Sequence, residues 1–209
     1  MKFPGFYQTV LVINALLPLG LLGLDSIQGS LGPNPIEFFL RATGVIALVF
    51  LVLTLAVTPL RKLFGWNSLI KHRRTLGLFA FLYGTLHLIT YSYFDKGLDL
   101  GSIASDVWQR PFIAVGMTAF TLLIPLAVTS TNGWVKRLGG KAWVKLHRLT
   151  YVIAVLAVIH FWMIVKSDVF YPAIFGTIIV ILLSWRYWES LKKRLHSRPK
   201  SKDYRLRSE

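Results

Sequence analysis

The chain has 209 residues, 54% of them hydrophobic and only 16% charged, which is too apolar for a soluble domain and points to a bilayer as its solvent. Its formal net charge of +15 does not make a nucleic-acid surface, because the basic residues fall between apolar runs and in the tail instead of forming one patch. The absence of cysteine excludes disulfides, thiolate zinc sites, iron–sulfur clusters and covalent attachment of haem through a Cys-x-x-Cys-His motif.

Residues 6–24 form a first apolar run, long enough to cross a hydrocarbon core of about 30 Å at roughly 1.5 Å per residue. It carries no small-residue cleavage site and more runs follow, so it reads as an uncleaved first helix. Residues 25–37 are rich in Gly, Pro and Asn, contain acids but no Lys or Arg, and break the helix. A second run, 38–60, leads into a strongly basic loop holding Arg61, Lys62, Lys71, Arg73 and Arg74. The third span covers 75–94, and the following segment, 95–109, sets Asp95, Asp99 and Asp106 against one lysine. Arg110 and Pro111 open the fourth run, which reaches about Ser130. The loop 131–145 turns basic again, with Lys136, Arg137, Lys141 and Lys145 and no acid. A fifth run, 146–165, a short turn beginning at Lys166, and a sixth run, 170–188, complete the apolar segments.

Alternate loops are therefore basic, and the positive-inside rule assigns them to the cytoplasm. The expected fold is an all-α polytopic membrane protein, a six-transmembrane-helix bundle with both termini cytoplasmic. Residues 1–190 would form one membrane domain, and 191–209 a basic cytoplasmic tail that is frayed or disordered and carries a solvated His196. Trp66, Trp108, Trp134, Trp143, Trp185 and Trp188 fall near the expected boundaries, where indole rings favour the headgroup region. Pro18 and Pro125 within spans suggest kinks. With no internal repeat, no Gly-x-Gly-x-x-Gly loop and little chain outside the membrane, an electron-donating flavin or nucleotide domain has to be another polypeptide.

Three histidines stand out against this background, because an ionisable ring at membrane depth is expensive and marks a functional site by default. His87 lies thirteen residues beyond Arg74 and His160 fourteen beyond Leu146, both on spans that enter from the cytoplasm. Both rings should therefore lie roughly 20 Å deep, in the outer half of the membrane. Two neutral imidazoles facing each other across a bundle, with haem iron between them, make a six-coordinate centre suited to electron transfer. The alternative is a hydrogen bond between helices, of order 1 kcal/mol. His147, near the cytoplasmic face, is either an interfacial residue or the ligand of a second haem roughly 20 Å below the first. Thirteen residues rotate about 220° around a helix, so His147 and His160 share one interior only if the helix end bends or the haems are offset. His72 is part of the basic loop or a ligand on the cytoplasmic side. Arg73, Arg74 and Arg41 are candidates to hold haem propionates, since guanidinium grips carboxylates with a bidentate fork.

Several short motifs in fixed order carry a resemblance. They are Leu31-Gly-Pro-Asn-Pro, the segment from Thr54 ending Thr-Pro-Leu60, Arg73-Arg74-x-Leu-Gly-Leu followed by Leu86-His87-Leu, and Arg110-Pro111. Leu126-Ala-x-Thr-Ser-Thr, Trp143-x-x-Leu-His147-Arg148-Leu-x-Tyr151 and Ile159-His160 follow. Together they resemble the MsrQ family, haem-binding membrane subunits of the bacterial periplasmic methionine sulfoxide reductase system, within the ferric-reductase-like transmembrane superfamily. The resemblance implies a protein of the bacterial inner membrane. It would pass electrons from the quinone pool, or from a cytosolic flavin reductase, through haem b to a periplasmic molybdopterin subunit, MsrP. Sulfoxide reduction would occur on that partner, in repair of oxidised envelope proteins. It carries over His87, His147 and His160 as haem ligands, with one or two haems per chain, and it associates the family with FMN. Related oxidases and ferric reductases have a further histidine about fourteen residues before the one matching His87; here that position is Arg73. The readings that compete with it are a stand-alone ferric or superoxide-generating reductase, and a haem-free transporter or scaffold.

Overall fold

A computed structural model describes residues 5–165 and 167–196. Lys166 and the tail residues 197–209 lie outside the described residues, as does the side chain of His196. All regular structure among the described residues is helical: α1 (Phe6–Gln28), α2 (Pro35–Phe64), α3 (Arg73–Thr90), α4 (Leu100–Gln109), α5 (Pro111–Val128), α6 (Asn132–Leu138), α7 (Gly140–His147), α8 (Leu149–Ile164) and α9 (Phe170–His196). A 3-10 turn, Asn67–Lys71, precedes α3, and a π-helical turn, Tyr91–Asp95, follows it.

The boundaries follow from local chemistry. α1 runs past the expected stop and ends where Gly29 takes φ 68°, a left-handed cap open to glycine. Asn34 caps α2 by accepting from the Glu37 amide at 3.2 Å, its own amide reaches the Glu37 carboxylate at 2.9 Å, and Pro35 occupies the first turn, where a missing N–H costs nothing. Asp99 caps α4 through the amides of Gly101 and Ser102, and Thr131 caps α6 through that of Trp134.

Three expected loops prove structured. The basic segment 131–145 folds into α6 and most of α7, which meet at Gly139. The acidic segment 95–109 holds the amphipathic α4, and the first six residues of the expected tail, 191–196, continue α9. The fifth apolar run is not one straight helix: it breaks at Arg148, between α7 and α8.

Five helical stretches are long and apolar enough to cross a membrane: α1, α2, α5, the α7–α8 unit and α9. α3 is not among them by composition. It opens on two arginines and carries Gly77, Tyr83, Gly84, Thr85 and His87. A helix surrounded by other helices does not need a lipid-compatible surface, and α3 lies between α2 and α5, with α1 alongside it. α5 packs on α8, α8 on α9, and α9 closes back on α2. Tyr83 of α3 is completely buried, stacks on Phe50 and donates to the Ala15 carbonyl at 2.7 Å, fastening α1 to the bundle. Large apolar side chains remain exposed along α1, α8 and α9, more than a protein in water would present.

At the other end of α3, Asp106 of α4 gathers three partners: Lys96 at 2.6 Å, the Tyr91 hydroxyl at 2.8 Å and Arg110 at 3.5 Å. The hydrogen bond from Lys96, then that from Tyr91, holds the Asp106 carboxyl below the usual carboxylate range. A depressed native pKa contributes stability that is complete above the unfolded value of about 4 and is lost as the pH falls toward the native one. Protection against hydrogen exchange across 91–110, taken relative to the intrinsic rate at each pH, should therefore fall below about pH 4, and Asp106→Asn should show the low protection already at neutral pH. Exchange that ignores both changes would remove the clamp as the reason α4 is ordered.

Candidate functional site

His87 of α3 and His160 of α8 meet in the interior with ring centres 6.1 Å apart and planes at 90°. Their neighbours explain why they can. His87 Nδ1 bonds to the Leu40 carbonyl of α2 at 2.9 Å, and His160 Nδ1 to the Phe112 carbonyl of α5 at 2.7 Å. A carbonyl can only accept, so each Nδ1 carries its proton and each Nε2 keeps its lone pair. That is the tautomer a metal requires, with the outer partner fixing the ring orientation.

Each ring also lies over a glycine on the neighbouring helix. A Cβ on Gly44 of α2 would stand 2.9 Å from His87 Nδ1, and one on Gly116 of α5 would stand 2.7 Å from two atoms of the His160 ring. These four helices thus approach through small residues where the imidazoles cross. Neither glycine was singled out by sequence reasoning. The available signal was a glycine inside an apolar span, which marks a close approach without saying to what.

Two imidazoles that share one metal ion stand roughly 6 Å apart centre to centre, each metal–nitrogen bond taking about 2 Å, so the 6.1 Å here fits such a pair. Among the described residues no three His, Cys, Asp or Glu side chains gather around a bare ion. The arrangement suits a metal whose in-plane donors come from a macrocycle, leaving two axial places for protein nitrogen.

His147 ends α7, one residue before the interruption at Arg148 that separates α7 from α8. Its ring stacks on Trp143 with centres 3.8 Å apart, and its Nδ1 bonds to the Trp143 carbonyl at 3.1 Å. Trp143 is itself anchored by its indole N–H on the Thr129 carbonyl at 2.9 Å. His147 Nε2 is buried and makes no hydrogen bond of normal geometry among the described residues, although the Leu126 backbone also lies close enough to act on the ring. A buried nitrogen that lacks a partner costs on the order of 1–3 kcal/mol, which a ligand would recover.

The remaining candidates divide. Arg73, half-buried, lies within electrostatic reach of His147. Arg74 is exposed and donates to Asn132 of α6 at 2.8 Å. His72 is turned toward α1, where Gln8 meets its Nδ1 at 2.7 Å and also reaches Thr75. Arg41, largely exposed, is paired with Glu37 at 2.5 Å. The structure therefore gathers His87 with His160, brings both Arg73 and Arg74 within electrostatic reach of His147, and leaves His72 and Arg41 with partners of their own.

A family model described as Ferric reductase like transmembrane component matches residues 43–158, which include Gly44, His87, Gly116 and His147. A protein of Herminiimonas arsenicoxydans named protein-methionine-sulfoxide reductase heme-binding subunit MsrQ is 54% identical over 189 residues, 90% of this chain and 87% of its own. A protein of Rhodospirillum rubrum with the same name is 47% identical, over 90% of this chain and 91% of its own. One of Caulobacter vibrioides, likewise so named, is 45% identical, over 95% and 97%. With identities of this size along nearly its whole length, and with the family model covering more than half of it, the chain belongs to the MsrQ family of ferric-reductase-like transmembrane proteins.

Proposed function

We propose that this protein is a haem b electron-transfer subunit of the bacterial inner membrane. It takes electrons from the quinone pool, or from a cytosolic flavin reductase, and delivers them to a periplasmic molybdopterin methionine sulfoxide reductase, MsrP. The observation that carries this reading is the pair His87 and His160, 6.1 Å apart, each with Nδ1 committed to a carbonyl. The names of the relatives, heme-binding subunits of a methionine sulfoxide reductase, support it.

In this reading α3 is the third of six spans, and the basic segments with both termini face the cytoplasm. His87 and His160 would together hold an outer haem, and His147 would hold an inner one. When bound, the haem supplies a reversible one-electron couple; the protein supplies the ligands, the spacing and a medium of low dielectric. The backbone carbonyls of Leu40 and Phe112 accept from the Nδ1 protons, so each ring is held in orientation with its Nε2 lone pair left free. Trp143 fixes His147 by stacking. No side chain has to act as acid, base or nucleophile, because bond chemistry takes place on the partner. The sequence reading that competes, a haem-free transporter, leaves the buried Nε2 of His147 without a role.

The test is electron flow through the purified protein in vesicles. Adding a quinol should reduce the haem, and adding MsrP with a methionine sulfoxide peptide should reoxidise it within seconds. A flavin reductase with its nicotinamide donor provides the second input arm. Haem that is reduced by neither donor, or that stays reduced in the presence of MsrP and sulfoxide, would sink the reading.

A further inference from the structure

A second cationic group reaches Tyr151, one helical turn beyond His147. Arg186 of α9 points inward: Nη2 donates to the Leu55 carbonyl of α2 at 2.6 Å, and Nη1 to the Tyr151 hydroxyl of α8 at 3.1 Å. Its guanidinium also lies over the Tyr151 ring, 5.3 Å from the centre. The Nε of Arg186 is buried and has no hydrogen-bond partner among the described residues.

Arg73, at the start of α3, lies within electrostatic reach of Arg186, of Tyr151 and of His147. No ion pair among the described residues engages either arginine. Glu189, one turn along α9 from Arg186, is taken by Lys62. Two guanidiniums are thus drawn together inside a helix bundle with a phenol and no carboxylate. Charges of one sign are costly in such a place unless an anion joins them.

We infer that Arg73, Arg186 and Tyr151 form an oxyanion site inside the cytoplasmic end of the bundle, and that the oxyanion is a propionate carboxylate of haem held at His147. The inference rests on the inner haem proposed above. Three features favour a carboxylate arriving from within over a lipid phosphate arriving from outside. Arg186 is tied to α2 on one side and α8 on the other, its free Nε is shielded from the surface, and Arg73 is the common neighbour of Arg186 and His147. A carboxylate offers about four lone-pair positions, enough to take the free Arg186 Nε and the donors of Arg73 together. Arg186 would be a positioning residue that sets the tilt and seating of the inner haem.

The test compares haem with haem dimethyl ester, in which both carboxylates are blocked. Full-length protein carrying His160→Ala, stripped of haem, isolates the inner position, and binding is followed by the Soret band. The ester should bind at least tenfold more weakly than haem. Arg186→Gln should weaken haem binding while leaving ester binding nearly unchanged, so that the two affinities converge. Arg73→Gln should do the same, and serves if Arg186→Gln disrupts folding through the lost Leu55 contact. Equal affinity for haem and ester in the parent overturns the oxyanion site, as does a preference that survives both substitutions. In either case the haem at His147 still stands. If the isolated inner position takes up neither compound, and His147→Ala changes nothing, the inner haem itself fails and the inference with it.

Discussion

Changing either His87 or His160 to alanine should remove the outer haem completely, lowering the haem content from about two per chain to about one and leaving the residual spectrum to the inner position. The expectation follows from geometry. The two rings are 6.1 Å apart and each is braced by a carbonyl on a different helix, Leu40 of α2 or Phe112 of α5. Removing one imidazole would therefore take away one of the two proposed ligands, and no other histidine among those whose side chains are described is positioned to replace it: His147 lies thirteen residues down the same helical unit, roughly 20 Å along its axis. His72→Ala serves as the control. Its ring is engaged by Gln8 on the α1 side, so it should leave the outer haem intact. If the His87 and His160 variants both retained full haem, the axial pair would have to be abandoned.

The second large effect should come from a residue with no chemistry of its own. Gly116→Ala sets a methyl group 2.7 Å from two atoms of the His160 ring, closer than real side chains approach. The ring cannot simply swing aside, because its Nδ1 is committed to Phe112, four residues earlier on the same helix. Either that hydrogen bond breaks or α5 moves away from α8, and both outcomes misdirect Nε2. Outer haem should fall several-fold, with the protein still inserted and of normal size in detergent. Gly44→Ala, at 2.9 Å from His87, should act in the same direction. Small residues at helix crossings are usually explained by packing alone, and that explanation expects a stability loss with haem content per folded chain unchanged. The haem-to-protein ratio of the surviving folded fraction separates the two.

Much of the helical arrangement was readable from the distribution of apolar and basic residues. The apolar runs correspond to helices, and the run carrying His87 proved to be the helix packed between α2 and α5. The matched depth of His87 and His160 followed from counting residues from each cytoplasmic end, and the structure brings those two rings together. What was hidden depended on three-dimensional crossings. The clash with His160 that reserves Gly116 for glycine involves a helix 44 residues away in sequence. Arg186 was passed over inside the sixth run, 170–188, because only the folded bundle turns it inward onto Leu55 and Tyr151. The interruption at Arg148 between α7 and α8 is likewise marked by no proline or glycine at that position; the residues there continue helical on both sides. Loop composition also misled. Lys136, Arg137, Lys141 and Lys145 read as a cytoplasmic loop, whereas their segment is helical, since lysine and arginine are good helix formers when a cap such as Thr131 starts the turn.

The most direct test of the central claim is the low-temperature EPR spectrum of the oxidised, detergent-purified protein, read beside its pyridine haemochrome. Two axial imidazoles with planes at 90°, as His87 and His160 stand here, should give a low-spin ferric signal of large anisotropy. That signal should be absent from both the His87→Ala and His160→Ala proteins, whose b-type haemochrome should fall to about one per chain from about two in the parent. A haem-loaded protein whose low-spin signal persists unchanged in those variants, or a protein that takes up no haem when haem is supplied in excess, would contradict the account.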